Sequence, residues 1–94
     1  MGMSAARQEV VIVNKRGLHA RASAKFVEAV SHLPETNQVR VSKDGSDAAG
    51  GSILGLMMLG AAKGDTIEIV VDGAEADIAL ERLVTLVATG FGEE

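Results

Sequence analysis

The sequence has no cysteine, no tryptophan, no tyrosine and a single proline. Without cysteine it can form no disulfide, no thiolate-bound metal site and no cysteine nucleophile, and it suits a reducing cytoplasm. Phe26 and Phe91 are its only aromatic residues, so it offers no row of rings on which unpaired bases could stack. Positive charge is scarce too: nine Lys and Arg face thirteen Asp and Glu, for a formal charge of −4. Nucleic-acid backbones are gripped by clustered cations, and no nucleic-acid partner is expected. Long apolar runs are also missing. None approaches the roughly 20 residues that span a bilayer, and residues 1–8 lack the apolar centre of a secretory signal. Gly2 fits the start of a myristoylation signal, but Ala6 stands where that signal needs Ser or Thr. The first residues therefore read as a frayed extension of a soluble, cytoplasmic protein with no membrane insertion.

What is present is a chain of 94 residues, 47% of them hydrophobic. That length makes one small domain. It spans residues 1–94, with the ordered core expected over about 9–89, and a monomer is expected. A domain of this size buries only about two-thirds of its unfolded surface. Its core has to be built from Val, Ile, Leu, Ala and Met.

Periodicity gives the elements. Residues 9–14 are mostly β-branched and predict a strand. Ala22, Phe26, Ala29, Val30 and Leu33 recur at helical intervals and predict a helix over 20–32, which Pro34 ends. Residues 38–43 alternate, with Val39 and Val41 inward. Asp44-Gly45 is a hairpin turn, returning through a short edge strand at 46–49. Ser52 is placed to cap a helix over 53–59, which Gly60 closes. Residues 66–71 predict a strand that Asp72-Gly73 ends, and 74–89 the longest helix. Phe91 and the residues after it are expected to fray. The order β-α-β-β-α-β-α predicts an α+β fold: a two-layer, open-faced sandwich with a four-stranded antiparallel sheet and three helices on one face.

The chemistry concentrates in Gly17-Leu18-His19-Ala20-Arg21, a loop that opens a helix. A helix N-terminus offers unsatisfied N–H groups and the positive end of the dipole, which favours anions. If His19 caps the helix, a phosphoryl group on its ring would face those N–H groups. Arg21 could add its fork of donors to phosphate oxygens, and Gly17 lets the backbone bend tightly beneath. The same positive end disfavours imidazolium and keeps His19 neutral and nucleophilic. No partner base, metal cluster or Ser-His-Asp set accompanies it. Such a site can hold an activated group and hand it on, but is poorly equipped to process a substrate alone, so no cofactor and no enzymatic activity are expected.

The run Gly17-Leu18-His19-Ala20-Arg21-Ala22-Ser23-Ala24-Lys25-Phe26 resembles the active-site segment of the histidine-containing phosphocarrier (HPr) family of the bacterial sugar phosphotransferase system. A second stretch, Ser52-Ile53-Leu54-Gly55-Leu56-Met57-Met58-Leu59-Gly60, is similar to that family's regulatory-serine helix. The resemblance implies phosphorylation of His19 on Nδ1, with Arg21 stabilising the phosphate. It implies phospho-Enzyme I as donor, charged from phosphoenolpyruvate, and EIIA domains as acceptors. It also implies that Ser52 is the position phosphorylated by HPr kinase/phosphorylase. The chain departs from the family at Ala22, where proline is common. Proline pre-sets the first turn, and alanine leaves it less rigid.

Residues 53–59 are apolar nearly all round. At 100° per residue, Leu56 and Leu59 fall on one side and Ile53, Leu54, Met57 and Met58 on another. A helix this short cannot easily bury both sides, so one is expected to stay exposed as a docking surface. Methionine suits a surface that meets several partners. Two other functions remain compatible with these residues: an interaction module of the same fold that carries no phosphate, and a regulator in a nitrogen-type phosphotransferase branch.

Overall fold

Alternation in three of the four strands builds the buried face of the sheet. The computed structural model describes residues 5–93. The strands are β1 (Ala6–Val11), β2 (Gln38–Lys43), β3 (Ser46–Ala49) and β4 (Thr66–Asp72), and the helices are α1 (Ala20–Ser31), α2 (Ile53–Met58) and α3 (Ala76–Ala88). A 3₁₀ turn, Gly90–Gly92, follows α3. All strand pairs are antiparallel, in the order β1-β4-β2-β3. In β4, Ile67, Ile69 and Val71 are buried while their neighbours are not. Val10 lies opposite Ile67, and Val41 lies between Ile69 and Ala48. These side chains share one face, as a period of two requires.

The helices cover that face. Leu80, Leu83 and Val87 of α3 pack over β1 and β4, and Phe26 of α1 and Leu56 of α2 join the same core. The opposite face stays open and carries ion pairs, Arg7 with Glu68 at 3.8 Å and Arg40 with Asp47 at 3.7 Å. The Asp44-Gly45 turn has positive φ at both residues, as a two-residue hairpin needs.

α1 ends at Ser31, β4 at Asp72 and α3 at Ala88, each one residue from the sequence expectation, and other boundaries differ for identifiable reasons. β1 begins at Ala6, which pairs with Val71, and ends at Val11 rather than reaching Asn14. Asn14 is taken up by a turn, donating from Nδ2 to the Gly17 carbonyl at 2.9 Å. The helix expected over 53–59 stops at Met58, with Leu59 as its cap and Gly60 at φ +67. α3 starts two residues late. Glu75 is left-handed, and Asn37 Nδ2 donates to the Ala74 carbonyl that a helix begun at 74 would use itself. The expected fray after α3 is corrected for Phe91, which is 2% exposed. An apolar ring of that size is worth about 1.5–3 kcal/mol when buried, enough to hold a short tail down. The expectations for residues 1–4 and for Glu94 lie outside the described residues.

Candidate functional site

His19 sits where β1 has ended and α1 has not yet begun. Gly17 makes the approach possible: its φ is +62, and a Cβ there would collide with the Ala61 carbonyl oxygen and lie 2.8 Å from the Ala62 Cα. The next residue completes the clasp, Leu18 N–H donating to that same oxygen at 3.0 Å. The loop is thereby pinned to the segment that follows α2. Ser23 fixes it from the helix side, its Oγ donating to the Leu18 carbonyl at 3.1 Å.

His19 is the cap of α1. Its backbone is extended, its carbonyl accepts from Ser23 N–H at 2.9 Å, and its Nδ1 accepts from Arg21 N–H at 3.3 Å. Its other ring nitrogen, Nε2, lies 2.9 Å from Glu93 Oε2. These two partners decide the tautomer of the neutral ring. An amide N–H calls for a lone pair on Nδ1, and a carboxylate calls for a proton on Nε2. Nδ1 is therefore the basic, nucleophilic atom, and it faces the first turn of the helix.

Glu93 corrects the expectation that no base accompanies His19. It is distant in sequence and reaches the ring through the tail. Asn14 Nδ2 donates to its Oε1 at 3.1 Å, and Lys25 Nζ donates to the Phe91 carbonyl at 2.9 Å. Burial alone would raise the pKa of Glu93. Hydrogen bonds from His19 and Asn14, with the positive charges of His19 and Lys25, outweigh that and hold it below the ordinary value.

Beside the ring is an open depression lined by Arg16, His19, Arg21, Lys25, Gly92 and Glu93. Three basic side chains thus share the depression with the His19 ring. Arg21 is exposed, with its guanidinium free to turn toward a ligand. Ala22 is fully buried in the first turn, which stays helical without proline. Lys25 was not singled out in the sequence, although its place four residues after Arg21, on the same helix face, was an available signal. Arg16 read only as part of a turn. Glu93 and Asn14 were missed. The available signal was Gly90-Phe91-Gly92, one of the chain's two aromatic residues set between two glycines directly after a helix.

Ser52 caps α2, accepting from Gly55 N–H on its Oγ at 2.9 Å. Ile53, Leu54, Met57 and Met58 are exposed, Leu54 at 66% and Met58 at 78%, whereas Leu56 is fully buried and Leu59 nearly so. The helix thus divides as its wheel predicts. α2 packs on α1 and is followed by the segment that clasps the loop carrying His19. Among the described residues no helix is long and apolar enough to cross a membrane.

A family pattern described as the PTS HPr component phosphorylation site matches residues 6–89. The chain belongs to the HPr family. It is 47% identical over 87 residues to the phosphocarrier protein HPr of Neisseria meningitidis serogroup A, covering 93% of this chain and 96% of that protein. It is 34% identical over 88 residues to the phosphocarrier protein NPr of Escherichia coli K12, covering 94% and 97%. The crystal structure of HPr from Thermoanaerobacter tengcongensis superposes with a TM-score of 0.87 at 36% identity, covering 95% of this chain and 98% of that one. The fold is thus that of the HPr family, and the chain is an HPr-family phosphocarrier of the phosphotransferase system, a carrier protein rather than an enzyme.

Proposed function

We propose that His19 accepts a phosphoryl group on Nδ1 from phospho-Enzyme I, itself charged from phosphoenolpyruvate, and passes it to EIIA-type proteins. The observation that carries this reading is the placement of Nδ1 at the N-terminus of α1, where it accepts from the Arg21 amide at 3.3 Å while Nε2 meets the Glu93 carboxylate. A phosphoryl group arriving there replaces that bond with N–H to phosphate-oxygen bonds, which the helix dipole favours. Arg21 supplies planar donors to the same oxygens, and Arg16 and Lys25 add positive charge around the depression. A module that merely docked would need none of these.

The exposed side of α2, with Ile53, Leu54 and Met57, is the docking surface that brings partners to His19. Ser52, at its N-terminus, is the regulatory phosphorylation site, served by HPr kinase/phosphorylase. A phosphate on Ser52 adds roughly −1.5 to −2 charges at the edge of that surface.

The test is incubation of wild type and His19→Ala with phosphoenolpyruvate and Enzyme I. Wild type is expected to take up label at an acid-labile, base-stable site, and His19→Ala to take up none. Label persisting in His19→Ala would overturn the reading.

A further inference from the structure

We propose that Glu93 is the positioning residue of the phosphorylation site: its carboxylate holds the Nε2 proton of His19, so that Nδ1 presents its lone pair to the phosphoryl group. This rests on the phosphocarrier reading and adds the group behind the ring. Glu93 lies outside residues 6–89, the span matched by the family pattern.

The contact is built from several sides. Phe91 is buried with φ +60, between Gly90 and Gly92 at +71 and +72. Three successive left-handed residues turn the tail back over the β1–α1 loop. Lys25 then grips the Phe91 carbonyl. Each oxygen of the Glu93 carboxylate has its own partner, Oε1 the Asn14 amide and Oε2 the His19 ring. Asn14 is itself buried and donates as well to Gly17 in the loop that carries His19. One amide therefore ties the nucleophile's loop to the tail that orients the nucleophile. Both neighbours of Asn14 Nδ2 are acceptors, so the amide cannot be reversed without losing them.

The chemistry needs such a group. The Nδ1 lone pair attacks phosphorus and the N–P bond forms. The bond from phosphorus to the donor breaks, and its electron pair leaves with the donor. No proton has to move, because Nε2 keeps its hydrogen, but the ring gains a positive charge. The carboxylate at 2.9 Å offsets that charge. When an acceptor attacks phosphorus, the N–P pair returns to Nδ1 and the ring recovers the same neutral tautomer. Glu93 resets the carrier after every transfer.

Ring ¹⁵N NMR and rates of phosphorylation by Enzyme I and phosphoenolpyruvate, on wild type, Glu93→Gln and Glu93→Asp, test the proposal. In wild type, Nδ1 is expected to be unprotonated and Nε2 protonated. In Glu93→Gln the Nδ1–H tautomer should become populated, and kcat should fall roughly 10–100-fold with KM little changed, the range known for carboxylates that orient a ligating imidazole. Glu93→Asp, which keeps the charge and loses reach, should recover part of the rate. If Glu93→Gln lowers only the melting temperature, with tautomer and kcat unchanged, Glu93 is a tail latch and the proposal fails while the phosphocarrier reading stands. Absence of label on wild type would remove both.

Discussion

His19 is held by two groups of opposite character, an amide on Nδ1 and a carboxylate on Nε2, and its reactivity follows from which atom meets which. Ser52 poses a comparable residue-scale question at the other helix start. Its Oγ accepts from Gly55 N–H, and Gly55 tolerates that approach because a Cβ would sit 3.0 Å from the oxygen. A negative charge at this cap is compatible with the helix, since carboxylates and phosphates both suit an N-terminus. Ser52→Asp should therefore leave the fold intact, within about 0.5 kcal/mol by urea unfolding. The same variant should slow phosphoryl transfer from Enzyme I by repelling an acidic partner surface. Undiminished transfer would refute regulation through charge at Ser52. At this scale His19, Arg21, Gly17 and Ser52 were legible because each belongs to a local motif. Asn14 and Glu93 were not, because what brings Glu93 to Asn14 and His19 is a contact spanning most of the chain.

The second helix and the tail show what governs an element's fate. α2 has six residues and one buried side chain in its body, Leu56. Its opposite face has no sheet to meet, so Ile53, Leu54, Met57 and Met58 stay in solvent. This division was visible in the helical wheel, since residues about 100° apart cannot all face one layer. The tail was misjudged for the converse reason. Fraying is the rule for chain ends, and a periodicity scan gives no weight to one ring between glycines. The start of α3 alone was misplaced, because a side chain from elsewhere intervenes there, Asn37 at Ala74. A docking role for α2 predicts that Leu54→Glu keeps the melting temperature, because Leu54 is exposed and an acid suits the first turn. Steady-state phosphorylation by Enzyme I should show KM raised about fivefold or more, the equivalent of about 1 kcal/mol of lost contact. An unchanged KM would place the partner surface elsewhere.

For the molecule as a whole, a four-stranded antiparallel sheet with its helices on one face was readable in advance from the order of elements, the alternation in β2 and the Asp44-Gly45 turn, whereas the strand order β1-β4-β2-β3, set by long-range pairing, was not. Closure of the tail over the β1–α1 loop was not, because it depends on charges brought together only by the finished fold. That closure gives stability a pH signature. Glu93 binds its proton less tightly in the folded state: burial opposes this, but hydrogen bonds from His19 and Asn14 and the positive charges of His19 and Lys25 outweigh it. Its contribution is therefore present above its ordinary pKa of 4.5 and is lost as pH falls through the lowered folded value. With no tryptophan or tyrosine to report unfolding, far-UV circular dichroism can follow it. The stability difference between wild type and Glu93→Gln should shrink as the medium is acidified below that point; a difference that grows instead would give the opposite sign. The central claim is that phosphorus is carried on Nδ1 of His19. Correlated ³¹P and ¹⁵N NMR of the protein charged by Enzyme I and phosphoenolpyruvate tests it directly. The structure predicts coupling of phosphorus to Nδ1 of His19 and no phosphorylation of His19→Ala; phosphorus on Nε2, or on any other residue, would contradict it.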